Sequence, residues 1–148
     1  MELSAALLAD AAKVVEGKLY VHGGGWDRIT AATYPARHLS MAAVLVFRVE
    51  YDEALTGQPI TISVHTEDGK PITPAVKHEI NAGHLPGTLR GAPSFVPFTL
   101  TMNLLEFKKP GGYYVRVMHE EEEMTRIPFM VQLPPAGIQV ENQAPNKA

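Results

Sequence analysis

The run Gly23-Gly24-Gly25, followed by Trp26, Asp27 and Arg28, is the part of this sequence that most invites a chemical reading. Glycine-rich loops cradle phosphate because backbone without a Cβ lets several N–H groups converge on one anion. A nucleotide-triphosphate loop then requires Lys and Ser or Thr, and a dinucleotide loop requires a further glycine three residues on. Arg28 stands where that last glycine belongs, and no Lys-Ser or Lys-Thr follows. The stretch Ile29 to Pro35 does not pattern as the helix such a loop feeds. Gly23, Gly24 and Gly25 therefore read as structural, allowing a bulge or close backbone packing. Trp26, Asp27 and Arg28 remain a binding candidate, because Trp and Arg anchor interfaces. The competing reading is a core tryptophan beside an Asp–Arg pair.

Six histidines prompt a search for metal ligands. His78-Glu79 followed by His84 has the residue types of a zinc protease, but that pattern sets its histidines four apart on one helical face. Here they are six apart, across Gly83, in a segment that alternates like a strand. His78 falls on the apolar side of that strand and is expected as a core histidine. Glu120 to Glu123 lacks the alternating oxygens and glycine of a calcium loop and reads as a solvated hairpin tip. No serine sits in a Gly-x-Ser-x-Gly elbow, and the chain has no cysteine. The sequence thus offers no catalytic residue, no metal site and no cofactor.

Those residues must be held by a β framework. Twelve prolines and twelve glycines, spread over 148 residues, favour short segments and break long helices. Ile60, Ile62 and Val64 alternate with Thr61, Ser63 and His65, which predicts a strand buried on one face only. Asp68-Gly69 then suits a tight turn. Met41 to Tyr51 is apolar on both faces and reads as a central strand. Phe98 to Leu104 alternates again. The N-terminal stretch reads as a strand over Leu3 to Leu8, a turn over Asp10 to Gly17 with a helical turn at Asp10 to Lys13, and a strand from Lys18 to His22. Near the other end Pro110-Gly111-Gly112-Tyr113 is a turn feeding a strand, with Ile127 to Val131 as the closing strand and Pro128 on an edge or wet side. A tyrosine just after a Pro-Gly turn, opening the penultimate strand, marks the tyrosine corner of immunoglobulin-like sandwiches. The expected fold is all-β: a two-layer immunoglobulin-like sandwich over residues 1–133, in which Gly111 and Tyr113 are structural, with a Pro/Gln/Asn-rich tail over 134–148.

Leu8-Ala9-Asp10-Ala11-Ala12, followed by Gly17-Lys18-Leu19-Tyr20-Val21-His22-Gly23-Gly24-Gly25-Trp26, resembles the signature of a family of short bacterial proteins of unknown function, common in actinobacteria. The resemblance implies a compact β-rich domain. It implies no activity, ligand or catalytic residue.

The net charge of −3 lacks the basic face that nucleic acid demands, and no apolar run is long enough to span a membrane. The start carries no basic segment of a secretory signal, so the expected location is the cytoplasm, or a particle assembled there. The expected partner is protein: this same chain or a larger assembly, such as a bacterial complex or a phage particle. Ile138 and Val140, two apart in a polar stretch, are expected to dock on a sheet edge as an added strand. The alternative is a small-ligand or carbohydrate binder using Trp26, Tyr20, Tyr34 or the loop from Gly83 to Ser94.

Overall fold

A computed structural model describes residues 1–136, and the expected contacts of Ile138 and Val140 lie outside the described residues. Nine strands follow in chain order: β1 (Glu2–Val15), β2 (Lys18–Gly24), β3 (Arg28–Thr30), β4 (Ala36–Val49), β5 (Gln58–Thr66), β6 (Val76–Ile80), β7 (Ser94–Phe107), β8 (Gly111–His119) and β9 (Glu122–Gln132). They form two sheets, ordered β2-β1-β4-β7 and β3-β9-β8-β5-β6. All neighbours are antiparallel except β3 and β9, which run parallel. The described chain is all-β, with the two sheets packed face to face over one main core.

That core is built by alternation. Leu45, Phe47 and Val49 of β4 meet Ile60, Ile62 and Val64 of β5 and Val115 and Val117 of β8, each at most 2% exposed. β4 lies between β1 and β7, so its apolar outer face is also used: Ala42 and Val44 pack with Ala9, Leu7, Ala12 and Leu19 in a smaller cluster. A strand apolar on both faces was legible for this reason. Phe107, Tyr113 and Phe129 close one end of the main core through aromatic contacts with ring centroids 4.8–5.9 Å apart. The Tyr113 hydroxyl donates to the Lys109 carbonyl at 2.6 Å.

The N-terminal reading requires correction. Residues 10–15 form neither a turn nor a helical turn, because β1 runs unbroken to Val15. The reversal is confined to Glu16 and Gly17, with φ of +50° and +71°, between the paired residues Val15 and Lys18. Two consecutive positive φ angles define the hairpin turn whose twist matches the flanking strands. Pairing with β2 holds Ala11 opposite His22 and Ala12 opposite Val21, and that overrides their helical propensity.

Two further expectations change. The outer face of β5 is not open, since Ser63 and His65 are each 5% exposed. The Tyr114 ring stacks on His65, and the chain returning after Gly69 bridges His65 at Pro71. His78 is not a core histidine. It pairs with Ile60 but lies on β6, the outermost strand, where it stays exposed and rests against Phe98 with 4.7 Å between centroids.

Candidate functional site

The chain crosses from one sheet to the other between β2 and β3, and the glycine triplet makes the crossing. Gly23, at φ +61°, carries the Asp10 carboxylate against it, leaving no room for a Cβ. Gly24 packs on Val21, Leu7 and Ala9. Gly25 donates its N–H to the Leu8 carbonyl at 2.8 Å. The triplet serves packing, and its N–H groups do not gather around an empty anion site.

The three residues that follow part company. Trp26 turns inward, packs on the main core and meets His38 edge-on at 6.1 Å. Trp26 Nε1 and His38 Nε2 are both buried without a hydrogen-bond partner among the described residues. Burial lowers the His38 pKa, outweighing nearby Asp10 and a backbone bond at Ser40, and so favours the neutral ring. Asp27 and Arg28 turn outward as an exposed pair at 3.6 Å.

Asp27 and Arg28 form one rim of an open hollow of about 650 Å³ on the outer face of the second sheet. Its floor is Tyr114 with Pro128 and Met130, and Glu67 stands on the opposite rim. The Arg126 guanidinium lies 4.5 Å over the Tyr114 ring and is held by Glu123. That ion pair raises the Arg126 pKa and holds the Glu123 carboxyl below its usual range. Tyr114 is 7% exposed under this cover. A stacking ligand would therefore have to displace Arg126.

Beneath Tyr114 lies a feature the sequence reading missed. Ser63 Oγ and His65 Nε2 are 2.7 Å apart, and His65 Nδ1 is 3.2 Å from the Gly69 carbonyl. A carbonyl only accepts, so in the neutral ring Nδ1–H donates to Gly69 and Nε2 accepts from the Ser63 hydroxyl. Nucleophile, base and orienting group stand in the order of a hydrolase. Burial defeats that reading, because a carbonyl substrate has no path to Oγ. The chain of bonds instead ties β5 to its following turn. The signal available in sequence was Ser and His two apart on one strand face.

The first sheet offers a different surface, the arm made by β1 and β2. Val14, Val15, Tyr20 and Val21 are 38%, 42%, 53% and 43% exposed there. Of the three aromatic residues proposed for ligand binding, Tyr20 belongs to this arm, whereas Trp26 and Tyr34 are half-buried against the core. They do not form one face. In the loop from 83 to 94, Leu85 and Leu89 point into solvent. Among the described residues no three His, Asp or Glu side chains come together as a metal site.

A family of unknown function, DUF6941, matches residues 4–132, from within β1 to the last residue of β9. The chain belongs to that family. No curated protein matches the sequence. The DUF6941 match takes in the arm, the glycine crossing, the hollow and the Ser63–His65 pair. None of the helices that could cross a membrane is present among the described residues.

Proposed function

We propose that this chain is a non-enzymatic protein-interaction or assembly module, an accessory subunit of a bacterial complex or of a phage particle. The observation that carries this reading is the β1–β2 arm, whose outer strand pairs among the described residues only with β1 and holds Tyr20 and Val21 exposed. Free strand edges with apolar side chains are templates for another chain. The finer fold assignment is an immunoglobulin-like topology. It is supported by β1, β4 and β7 lying side by side in one sheet, by β3 running parallel to β9 in the other, and by the Tyr113–Lys109 bond at the opening of β8.

The test is co-purification from cells of the native source, comparing the unchanged chain with one carrying Tyr20→Ser and Val21→Thr. Partners held by the first and lost by the second support the reading. The same set with both chains overturns the arm as the contact surface.

The second reading is a small-ligand or carbohydrate binder, and the hollow lined by Arg28, Glu67 and Tyr114 favours it. Arg126→Ala uncovers the Tyr114 ring. Binding to a glycan array that strengthens in this variant supports that reading, and no binding by either chain removes it.

A further inference from the structure

Two arginines stand directly opposite each other in the second sheet, Arg116 of β8 and Arg126 of β9. The alternation that puts Val115, Val117 and Ile127 in the core leaves both on the outer face. Like charges at facing positions of paired strands destabilise a sheet. One carboxylate answers this pair, and it is committed to Arg126: Arg126 Nε and Nη2 donate to the two oxygens of Glu123, the second at 3.2 Å. Arg116 makes no ion pair among the described residues, and its Nε is buried without an acceptor there. The neighbouring strands supply no anion. β5 faces Arg116 with Ser63, whose hydroxyl is bonded to His65, and neither β5 nor β8 contains an Asp or Glu. The bond from Arg126 is the first cause of the lowered Glu123 pKa, and Arg116 adds to it through space. The pair also borders the hollow, where Pro128 and Met130 continue along β9 as an apolar floor beside Tyr114.

We propose that Arg116 and Arg126 together receive the carboxylate of an organic acid whose apolar body lies on Pro128 and Met130. This rests on the hollow being a ligand site, and names a monocarboxylate in place of a neutral sugar. The incoming carboxylate takes the Arg126 fork from Glu123 and gives Arg116 the ion pair it lacks. Glu123 is exposed, so its release to water costs little. A guanidinium fork matches carboxylate and phosphate alike, and the surrounding charge chooses between them. Glu120 and Glu121 form the turn beside the pair and Glu122 opens β9, so a dianion is repelled more than a monoanion. Asp27 and Glu67 on the rims of the hollow act in the same sense and favour a body without a second negative charge. The site is open to water, so affinity is expected at roughly 0.1–1 mM for a small acid.

The probe is 3-phenylpropionate, titrated at constant ionic strength and followed by proton–nitrogen NMR, with 3-phenylpropanamide as the uncharged control. The acid is expected to bind and the amide not. Arg116→Gln should weaken binding about tenfold, whereas Lys77→Gln, which removes the same charge elsewhere on this sheet, should change it by less than about twofold. Glu123→Gln frees the Arg126 fork and should tighten binding at least about threefold, a gain that a misfolded variant would not give. An acetylated tripeptide ending in phenylalanine, compared with its C-terminal amide, separates the two sources of such a group. Tighter binding of the free-acid peptide than of 3-phenylpropionate assigns the site to the C-terminus of another protein, and the reverse order assigns it to a free acid. Equal binding of acid and amide, or equal loss with Arg116→Gln and Lys77→Gln, overturns the arginine site. Arg126→Ala has opposite consequences for the two ligand classes, removing carboxylate binding while uncovering Tyr114 for a sugar. Glycan binding by that variant, with no acid bound by the unchanged chain, overturns this inference alone. No binding of either class overturns the hollow as a ligand site as well.

Discussion

The Tyr113 hydroxyl lies 2.6 Å from the Lys109 carbonyl, four residues back across the turn that opens β8. Tyr113 is 4% exposed, and its ring stacks on Phe129 and meets Phe107 edge-on, so the hydroxyl has little access to water if that bond is lost. Burial raises its pKa, and the bond to Lys109 acts in the opposite sense. Tyr113→Phe keeps the ring packing and removes the donor. It is expected to cost about 1 kcal/mol, read as a shift in the urea midpoint at constant slope. An unchanged midpoint would show that the bond does not hold the turn that opens β8.

Ser63 and His65 are coupled in the same manner on the other side of the second sheet. Ser63→Ala leaves His65 Nε2 buried without a donor, which is expected to cost about 1–3 kcal/mol. Ser63→Thr keeps the hydroxyl and should recover part of the loss. Because the pair is buried, the unchanged chain should not hydrolyse activated esters faster than the S63A variant. Equal stability of the two chains would count against the structural role, and a Ser63-dependent rate would count against the burial argument.

How much of this was legible in the sequence varies by element. Ile60, Ile62 and Val64 announced their strand because period-two alternation is a local signal, and Pro110-Gly111 announced the start of β8 because turn chemistry is local as well. β1 was misread over Asp10 to Lys13. Alanine favours helix locally, and only pairing with His22, Val21 and Tyr20 makes those residues a strand. The burial of Ser63 and His65 depends on Tyr114, which reaches them through the pairing of His65 with Tyr114, far apart in sequence. Trp26, Asp27 and Arg28 were singled out as one patch. The structure divides them, because adjacent residues at a sheet crossing point in different directions.

Glu53 accepts from the Met1 ammonium with both carboxylate oxygens, at 2.7 and 2.9 Å. That hydrogen bond is the first cause of the lowered Glu53 pKa, and the Glu50 backbone N–H adds to it. A carboxylate with a depressed folded pKa contributes stability that is present above its unfolded value, about 4.3. That contribution is lost as pH falls through the lower folded value. Glu53→Gln should therefore melt below the unchanged chain at pH 7, and the gap should narrow as pH drops below about 4. A gap independent of pH would mean that the carboxylate charge is not what Met1 recognises.

The last prediction returns to the glycine triplet and separates packing from anion binding. A Cβ on Gly24 would meet Val21 Cγ1 at 2.7 Å, Leu7 Cδ1 at 3.2 Å and Ala9 Cβ at 3.6 Å. Gly25 has open space around it, and its φ of +86° is its only demand on residue type. Gly24→Ala therefore tests crowding alone, and Gly25→Ala tests backbone conformation alone. Overpacking at Gly24 is expected to cost about 1–3 kcal/mol, and forcing alanine to positive φ at Gly25 about 1–2 kcal/mol. Val21→Ala removes the methyl nearest Gly24, so the pair Gly24→Ala with Val21→Ala should lose less than the sum of the two single changes. If the triplet instead held a phosphate, inorganic phosphate would raise the melting temperature of the unchanged chain and not of Gly24→Ala. Additivity of the two substitutions together with a phosphate-dependent melt would replace the packing account with a binding one.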